Sequence, residues 1–270
     1  MVTLKPMPEL AEVEYFRKQW NVGLARKIST VDAPANRVLR GVDLPLLRRT
    51  LTRATLLDSA AHGKQMLFRF SKNAWLGVHL GMTGKLHITK NDAPTAKHDR
   101  LVLRQKEHSL VFTDPRQFGR ILFDVNREAP AWWRRLPPQI LSPQFTLERM
   151  GAFLKRHGRA PIKAVLLLQA GFPGVGNWMA DEILWQARVH PRKSAGAVTQ
   201  ADVRKLYSRT RSMTRVALRT IGNDWTDPPK NWLFHRRWRR GGICPRDKSP
   251  LRHATIGGRT TCWCPTCQKK

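Results

Sequence analysis

Apolar positions along the opening stretch recur at helical spacing. Leu10, Val13, Phe16 and Trp20 fall on one side of residues 9–20, which predicts a short amphipathic helix. From about residue 36 to 125 the period shortens to two. Met66-Leu-Phe-Arg-Phe, Trp75-Leu-Gly-Val-His-Leu, Lys85-Leu-His-Ile-Thr and Leu101-Val-Leu-Arg are separated by Gly, Asn or Asp, as strands joined by turns are. Residues 126–144 are rich in Pro and charge and read as a linker. The helical period then returns over Thr146–His157, Ile162–Gln169, Asn177–Ala187 and Thr199–Thr220. An irregular stretch, Gly222–Lys230, leads into the basic run Phe234-His-Arg-Arg-Trp-Arg-Arg. No internal repeat is visible, and no apolar run approaches the roughly 20 residues that a membrane-spanning helix needs.

Charge narrows the picture sharply. Lys and Arg total 49 against 19 acids, a net charge of +30, while 41% hydrophobic content keeps the chain within the folding range. A polyanion is the natural partner, because each neutralised phosphate releases condensed counterions. The residues Met1–Glu9 carry no hydrophobic signal core, so export is not expected.

The four cysteines, at 244, 262, 264 and 267, all sit in the last tenth of the chain. A disulfide framework would spread them, so the cluster reads as a metal knuckle in a reducing compartment. Cys264-Pro-Thr-Cys267 is a two-ligand turn, and Cys244-x2-Asp247 is its partner with Asp at the expected thiolate position. A structural Zn2+ held by Cys244, Asp247, Cys264 and Cys267 is expected, with Cys262 or His253 as other candidates for the fourth ligand. Upstream, Gly174-Val-Gly176-Asn177 opens directly into a helix. Such a turn leaves backbone N–H groups pointing at solvent, an anion site that Asn177 could cap or complete.

These segments and three others resemble the formamidopyrimidine-DNA glycosylase/endonuclease VIII family, in the right order, from about residue 7 to 268. Gly174–Trp185 resembles its helix–two-turn–helix segment, and the Cys hairpin with Arg259 its terminal zinc finger. Pro8-Glu9-Leu10-Ala11-Glu12-Val13-Glu14 resembles the family's opening Pro-Glu-Leu-Pro-Glu-Val-Glu. His62-Gly63-Lys64 with His79-Leu80-Gly81-Met82-Thr83-Gly84 resembles its Lys-bearing hairpin and following turn. Thr113-Asp114-Pro115-Arg116-Gln117-Phe118-Gly119 resembles Asp-Pro-Arg-Arg-Phe-Gly. The resemblance implies an α+β fold: an N-terminal β-sandwich with a leading helix over 1–125, the linker over 126–144, a helix–two-turn–helix DNA-binding domain over 145–230 and a zinc ribbon over 231–270.

It also implies a bifunctional DNA glycosylase and abasic-site lyase of base-excision repair. The partner would be double-stranded DNA carrying oxidised bases or abasic sites, met by a monomer in the bacterial cytoplasm on the nucleoid. Pro8 would attack the sugar C1′, Glu9 would move protons at the sugar, Glu12 would organise the site and Lys64 would hold the flanking phosphate. Met82, Arg116 and Phe118 would fill the gap left by an extruded nucleotide, and Asn177 and Arg259 would hold phosphates.

The chain departs from the pattern in four ways. Met1–Met7 precede Pro8, and a proline nitrogen inside an amide is no nucleophile, so translation is expected to begin at Met7. Failing that, an amine such as Lys64 or Lys5 would substitute, or the protein would be a non-catalytic binder of damaged DNA. Ala11 replaces a proline, and Gln117 replaces a second arginine. Gly222–Lys230 is short beside the loop that covers a flipped purine in family members excising 8-oxoguanine, which implies a preference for formamidopyrimidines, hydantoins or oxidised pyrimidines. An RNA-binding or ribosomal zinc-ribbon protein would share the charge and the cysteines but leave Pro8-Glu9 and Arg116/Phe118 unexplained.

Overall fold

Two antiparallel four-stranded sheets form the first of two compact units, described by a computed structural model over residues 8–269. This unit holds Pro8 and Glu12–Leu136; Glu9–Ala11 group with the second unit, which runs from Pro137 onward. Met1–Met7, with Lys5 and the expected start at Met7, lie outside the described residues.

The strands are β1 (Thr30–Asp32), β2 (Leu56–His62), β3 (Gln65–Phe70), β4 (Ala74–His79), β5 (Lys85–Lys90), β6 (Asp99–Arg104), β7 (His108–Thr113) and β8 (Arg120–Val125). They pair in the orders β1-β6-β7-β5 and β2-β3-β4-β8, making the β-sandwich. Met66, Phe68 and Phe70 line one buried face of β3, and on the other face Leu67 is buried as well while Arg69 is exposed, so the expected alternation is only partial. Phe68 meets Trp20 with ring centroids 4.8 Å apart. Tight turns set the register. Gly63 between β2 and β3 has φ 60°, and Lys72 and Asn73 between β3 and β4 are also left-handed. Lys72 tolerates this strained conformation while its ammonium donates to Thr50 O and Thr52 O at 3.2 and 2.7 Å.

Helix α1 (Leu10–Gln19) leads the chain, and α2 (Leu44–Leu51) is capped by Asp43, which accepts from Leu46 N. Within the stretch read as a linker, Ala131–Arg134 forms a helical turn, α3. Its Trp132 ring lies against Gly77, where an added Cβ would come within 2.5 Å of that ring.

The second unit is helical: α4 (Leu147–Arg156), α5 (Ile162–Leu166), α6 (Asn177–Ala187), α7 (Gln200–Arg219) and the short α8 (Ile221–Asp224), which takes up part of the segment read as irregular. Helix α6 is buried almost all round, as its apolar sequence requires. Trp178, Met179, Ile183 and Leu184 of α6 share one core with Val203, Leu206 and Met213 of α7 and with Met150 and Leu154 of α4. Thr199 starts α7 by accepting from Asp202 N. The chain ends in a hairpin of β9 (Arg252–Ile256) and β10 (Arg259–Trp263), turned through Gly257 and Gly258, both at positive φ.

Candidate functional site

In the second unit, the turn before α6 departs from expectation. Its amides do not face solvent. The Glu9 carboxylate fills the helix N-terminus, accepting from Gly176 N at 2.9 Å, Trp178 N at 2.8 Å and Met179 N at 3.0 Å. Glu9 is only 1% exposed, so the orphan donors of α6 are satisfied by an internal anion in place of a bound phosphate. Leu10 N donates to Gly174 O at 3.0 Å and completes the seam. Glycines make this approach possible for two different reasons. Gly174 needs its φ of 86°, whereas a Cβ on Gly176 would sit 2.3 Å from Glu9 Cδ.

Beneath the same turn lies a buried ionic group that sequence reasoning did not single out. The Lys163 ammonium donates to Asn177 O at 2.8 Å and to Asp181 Oδ1. The other oxygen, Asp181 Oδ2, accepts from Arg237 Nη2 at 2.7 Å and from Cys262 N at 3.0 Å. Lys163 and Asp181 have no exposed side-chain surface, and Arg237 has 5%. Burial pulls the Lys163 ammonium below its ordinary range, and Asp181 opposes that pull. The next residue, Glu182, is buried too. Desolvation pushes its carboxyl up to about 7, against hydrogen bonds from Gln186 Nε2 and Phe234 N.

Asn177 and the terminal hairpin come together here. Asn177 Nδ2 donates to Thr260 O at 2.8 Å, beside the exposed Arg259 at the start of β10. Farther along the hairpin, the ligand atoms of Cys244, Asp247, Cys264 and Cys267 lie within 4.8 Å of one another. The Cys244 and Cys267 sulfurs are 3.9 Å apart, and Asp247 Oδ2 is 3.3 Å from Cys264 Sγ and 3.0 Å from Cys267 Sγ. Those separations suit the edges of a small tetrahedron of three sulfurs and one oxygen, the donor set of a structural zinc ion. Burial and then Asp247 push the Cys267 thiol up to about 12, while the Cys267 and Ser249 donors hold the Asp247 carboxyl well below its usual range. The four side chains are grouped closely enough to hold one metal ion. The other two candidates for fourth ligand stand apart from the group. Cys262 packs beside Asp181, and His253 Nε2 lies 3.1 Å from Arg237 O.

In the first unit, strand register places three turns at one end of a sheet. Gln65 pairs with His79 and His79 with Arg120, so the β2–β3 turn bearing Lys64, the turn after β4 bearing Met82 and the loop before β8 bearing Arg116 and Phe118 are neighbours. Burial, and then the Lys64 charge, lowers the His79 imidazole pKa below its usual range, and its Nδ1 accepts from Gly81 N. Asp114 ties two of the turns, accepting from Thr83 Oγ1 at 2.6 Å and from Gly119 N at 2.7 Å. Gly81, at φ 62°, lies so close that a Cβ would come within 2.4 Å of Phe118 backbone.

Phe118 is 42% exposed, with the Arg116 guanidinium 4.7 Å over its ring and Arg37 at 5.7 Å, so it is not a core residue. Met82 is half-buried. Gln117, left-handed at φ 53°, accepts from Arg37 N at 3.1 Å. Its substitution for arginine therefore removes a cation but fixes the loop. Glu12 is buried on α1, and Pro8 is half-buried.

Comparison with known proteins agrees with this construction. Residues 7–121 match the formamidopyrimidine-DNA glycosylase N-terminal domain, and residues 136–227 match that enzyme's helix–two-turn–helix domain. The formamidopyrimidine-DNA glycosylase of Solibacter usitatus is 34% identical over 272 residues, covering 98% of this chain and all of the relative. That of Arabidopsis thaliana is 28% identical, covering 97% of this chain and 71% of the relative. Among solved structures, the Lactococcus lactis formamidopyrimidine-DNA glycosylase bound to abasic-site DNA superposes with a TM-score of 0.85 at 26% identity, over 97% of this chain and 100% of that one. The same protein with an oxidised pyrimidine in its DNA gives 0.87 at 26% identity, with the same coverage. Fold and site together define a two-domain protein of the helix–two-turn–helix class. Within that class, the chain belongs to the formamidopyrimidine-DNA glycosylase family.

Proposed function

We propose that the protein is a bifunctional glycosylase and abasic-site lyase acting on oxidised bases and abasic sites in duplex DNA. The observation that carries this reading is the Glu9 carboxylate, buried and fixed by three backbone amides directly after Pro8. A proton-transfer group held this firmly meets the positional demand of general catalysis. With a free amine, the Pro8 nitrogen attacks the sugar C1′, and the C1′–N glycosidic bond breaks with its electron pair leaving on the base. The leaving base is protonated by solvent, and the Glu9 carboxylate takes the proton that the Pro8 amine gives up on bonding to C1′. Glu9 returns that proton to the ring oxygen as the C1′–O bond breaks and the sugar opens, leaving a Pro8 iminium. Loss of a C2′ proton then expels the 3′ phosphate, and a second elimination expels the 5′ phosphate.

Glu12 organises the catalytic turn, and Lys64 holds the phosphate beside the lesion. Met82, Arg116 and Phe118 replace the extruded nucleotide, the exposed Phe118 ring entering the stack and Arg116 meeting the widowed base. Asn177 and Arg259 bind phosphates next to the hairpin. Cys244, Asp247, Cys264 and Cys267 hold Zn2+, which when bound deprotonates the thiols and cross-links the hairpin. Between α7 and Trp232 lie α8 and a short run through Pro228-Pro229, and the shortness of this segment supports a preference for formamidopyrimidines, hydantoins or oxidised pyrimidines. The bacterial relatives support a place of action on the nucleoid in a bacterial cytoplasm.

Borohydride trapping on a duplex with one abasic site tests the chemistry, comparing a chain starting at Met7 with the full chain. A crosslink from the Met7 form that Pro8→Gly abolishes is expected. If neither form crosslinks, the protein is a binder of damaged DNA with a blocked proline and the enzymatic reading falls.

A further inference from the structure

Helix α7 carries a feature that the lesion machinery does not use. Arg204, Lys205, Arg209, Arg215 and Arg219 are all exposed, and on a helical wheel they occupy an arc of about 140°. Val203, Leu206, Met213 and Ala217 take the opposite side and pack into the core with α6 and α4. From Arg204 to Arg219 the stripe runs about 22 Å at the usual helical rise. Its cations make no hydrogen bond or ion pair within the described residues, unlike Arg211, which is spent on Ile140 O and Ser142 O at 2.7 and 3.1 Å. The helix has one acid, Asp202, already occupied by Lys193 at 2.8 Å.

A face built only for solubility would intersperse Glu at four-residue spacing. Unrelieved like charge at that spacing costs a few tenths of a kcal/mol per pair. The repulsion is relieved by a polyanion whose charges are closely and regularly spaced along a straight edge. Duplex DNA carries one charge per about 1.7 Å of axis, so a 22 Å stripe spans about 6 base pairs. The Asn177 and Arg259 contacts sit at the N-terminal end of α6, whereas the stripe faces away from the side of α7 that α6 covers.

We propose that the outer face of α7 is a second duplex-DNA surface, holding an undamaged segment while the lesion segment is engaged elsewhere on the protein. The surface fits the double helix as a polyanion and reads no bases. Its use is transfer between neighbouring DNA segments, since a protein held at two places can release one without leaving the DNA.

The test is a bridging assay with the full chain. A short duplex bearing an abasic-site analogue is immobilised and saturated with protein, and capture of a labelled undamaged duplex is measured. Wild type captures the second duplex, and R204Q/R215Q/R219Q lowers capture about tenfold or more, with the slope of log affinity against log salt for undamaged DNA falling by up to about 3. Single-turnover cleavage of the short abasic duplex stays within about twofold in the variant, and unchanged circular dichroism shows that it folds. No bridging by wild type, or undiminished bridging by the triple variant, overturns the proposal. Cleavage is read separately on the short duplex, so loss of catalysis alone leaves the bridging result interpretable.

Discussion

Replacing Gly176 by alanine tests whether Glu9 is held by the start of α6 or merely lies near it. Gly176 has φ −121° and ψ −156°, a backbone that alanine adopts freely, so no conformational penalty confuses the result. The effect is steric. The new methyl would lie 2.3, 2.5 and 2.5 Å from Glu9 Cδ, Cγ and Oε1, against an ordinary contact of about 3.4 Å or more, so the carboxylate must move by about 1 Å. At that displacement at least two of the three bonds from Gly176, Trp178 and Met179 are lost or badly bent. Hydrogen bonds to a charged group contribute about 1.5 kcal/mol or more each, which puts the loss at about 3 kcal/mol. Under the proton-transfer role proposed for Glu9, displacing it by about 1 Å costs on the order of 10² in rate. Urea unfolding reads the first quantity and single-turnover base excision the second, both expected to fall in G176A. A variant with unchanged midpoint and unchanged rate would refute the reasoning, because it would mean the carboxylate has room to spare.

Three further outcomes are expected. Asp181→Asn leaves Lys163 and Arg237 buried without a counter-charge and should cost about 3–5 kcal/mol in urea unfolding; the apolar triple variant K163M/D181L/R237M, which leaves no orphaned charge, should lose less, and equal losses would argue against the ionic group. Because the Glu182 carboxyl is raised to about 7 in the fold, its neutral form is favoured there. The stability it contributes is fully present below about 4.5 and fades as pH rises to 7, by at most about 3 kcal/mol, and Glu182→Gln should flatten that slope in pH-dependent unfolding. Chelation should weaken DNA binding and release one metal ion per chain, measured by atomic absorption; C267S should hold none, and D247C should resist chelator longer than wild type, since thiolate binds zinc better than carboxylate.

Much of the architecture was legible in the residue pattern because its cause is local. The apolar run along Met66–Phe70 and the apolar helical segment from Asn177 to Ala187 reflect burial of each element in a core, and both segments lie where the pattern placed them. What the sequence hid depends on distant partners. The turn at Gly174–Asn177 looked like an open anion site because nothing local reveals that Glu9, 167 residues earlier than Gly176, already occupies it. Asp181 gave no signal, since one aspartate in a helix reads as a solvated residue until Lys163, Arg237 and the Cys262 amide converge on it. Likewise, spacing favoured Asp247 as fourth ligand but left Cys262 and His253 as alternatives, and the folded path of the chain groups Asp247 with Cys244, Cys264 and Cys267. Phe118 reversed the usual rule: an aromatic in a strand-rich region reads as core, yet it stands exposed on a loop tied down by Asp114 and Gln117.

The seam between Glu9 and α6 has a consequence for synthesis. Its donors lie 167 to 170 residues after the acceptor, so none of these bonds can form until α6 has left the ribosome. At about 5–20 residues per second the opening turn stays unfastened for roughly 10 to 30 s, while the β-sandwich can already form around strands made earlier. During that interval the Glu9 carboxylate lacks the three amides that fix it. A nascent or truncated chain without α6 can therefore keep its β-sheets but not this seam, and under the role proposed for Glu9 such a chain would not excise bases.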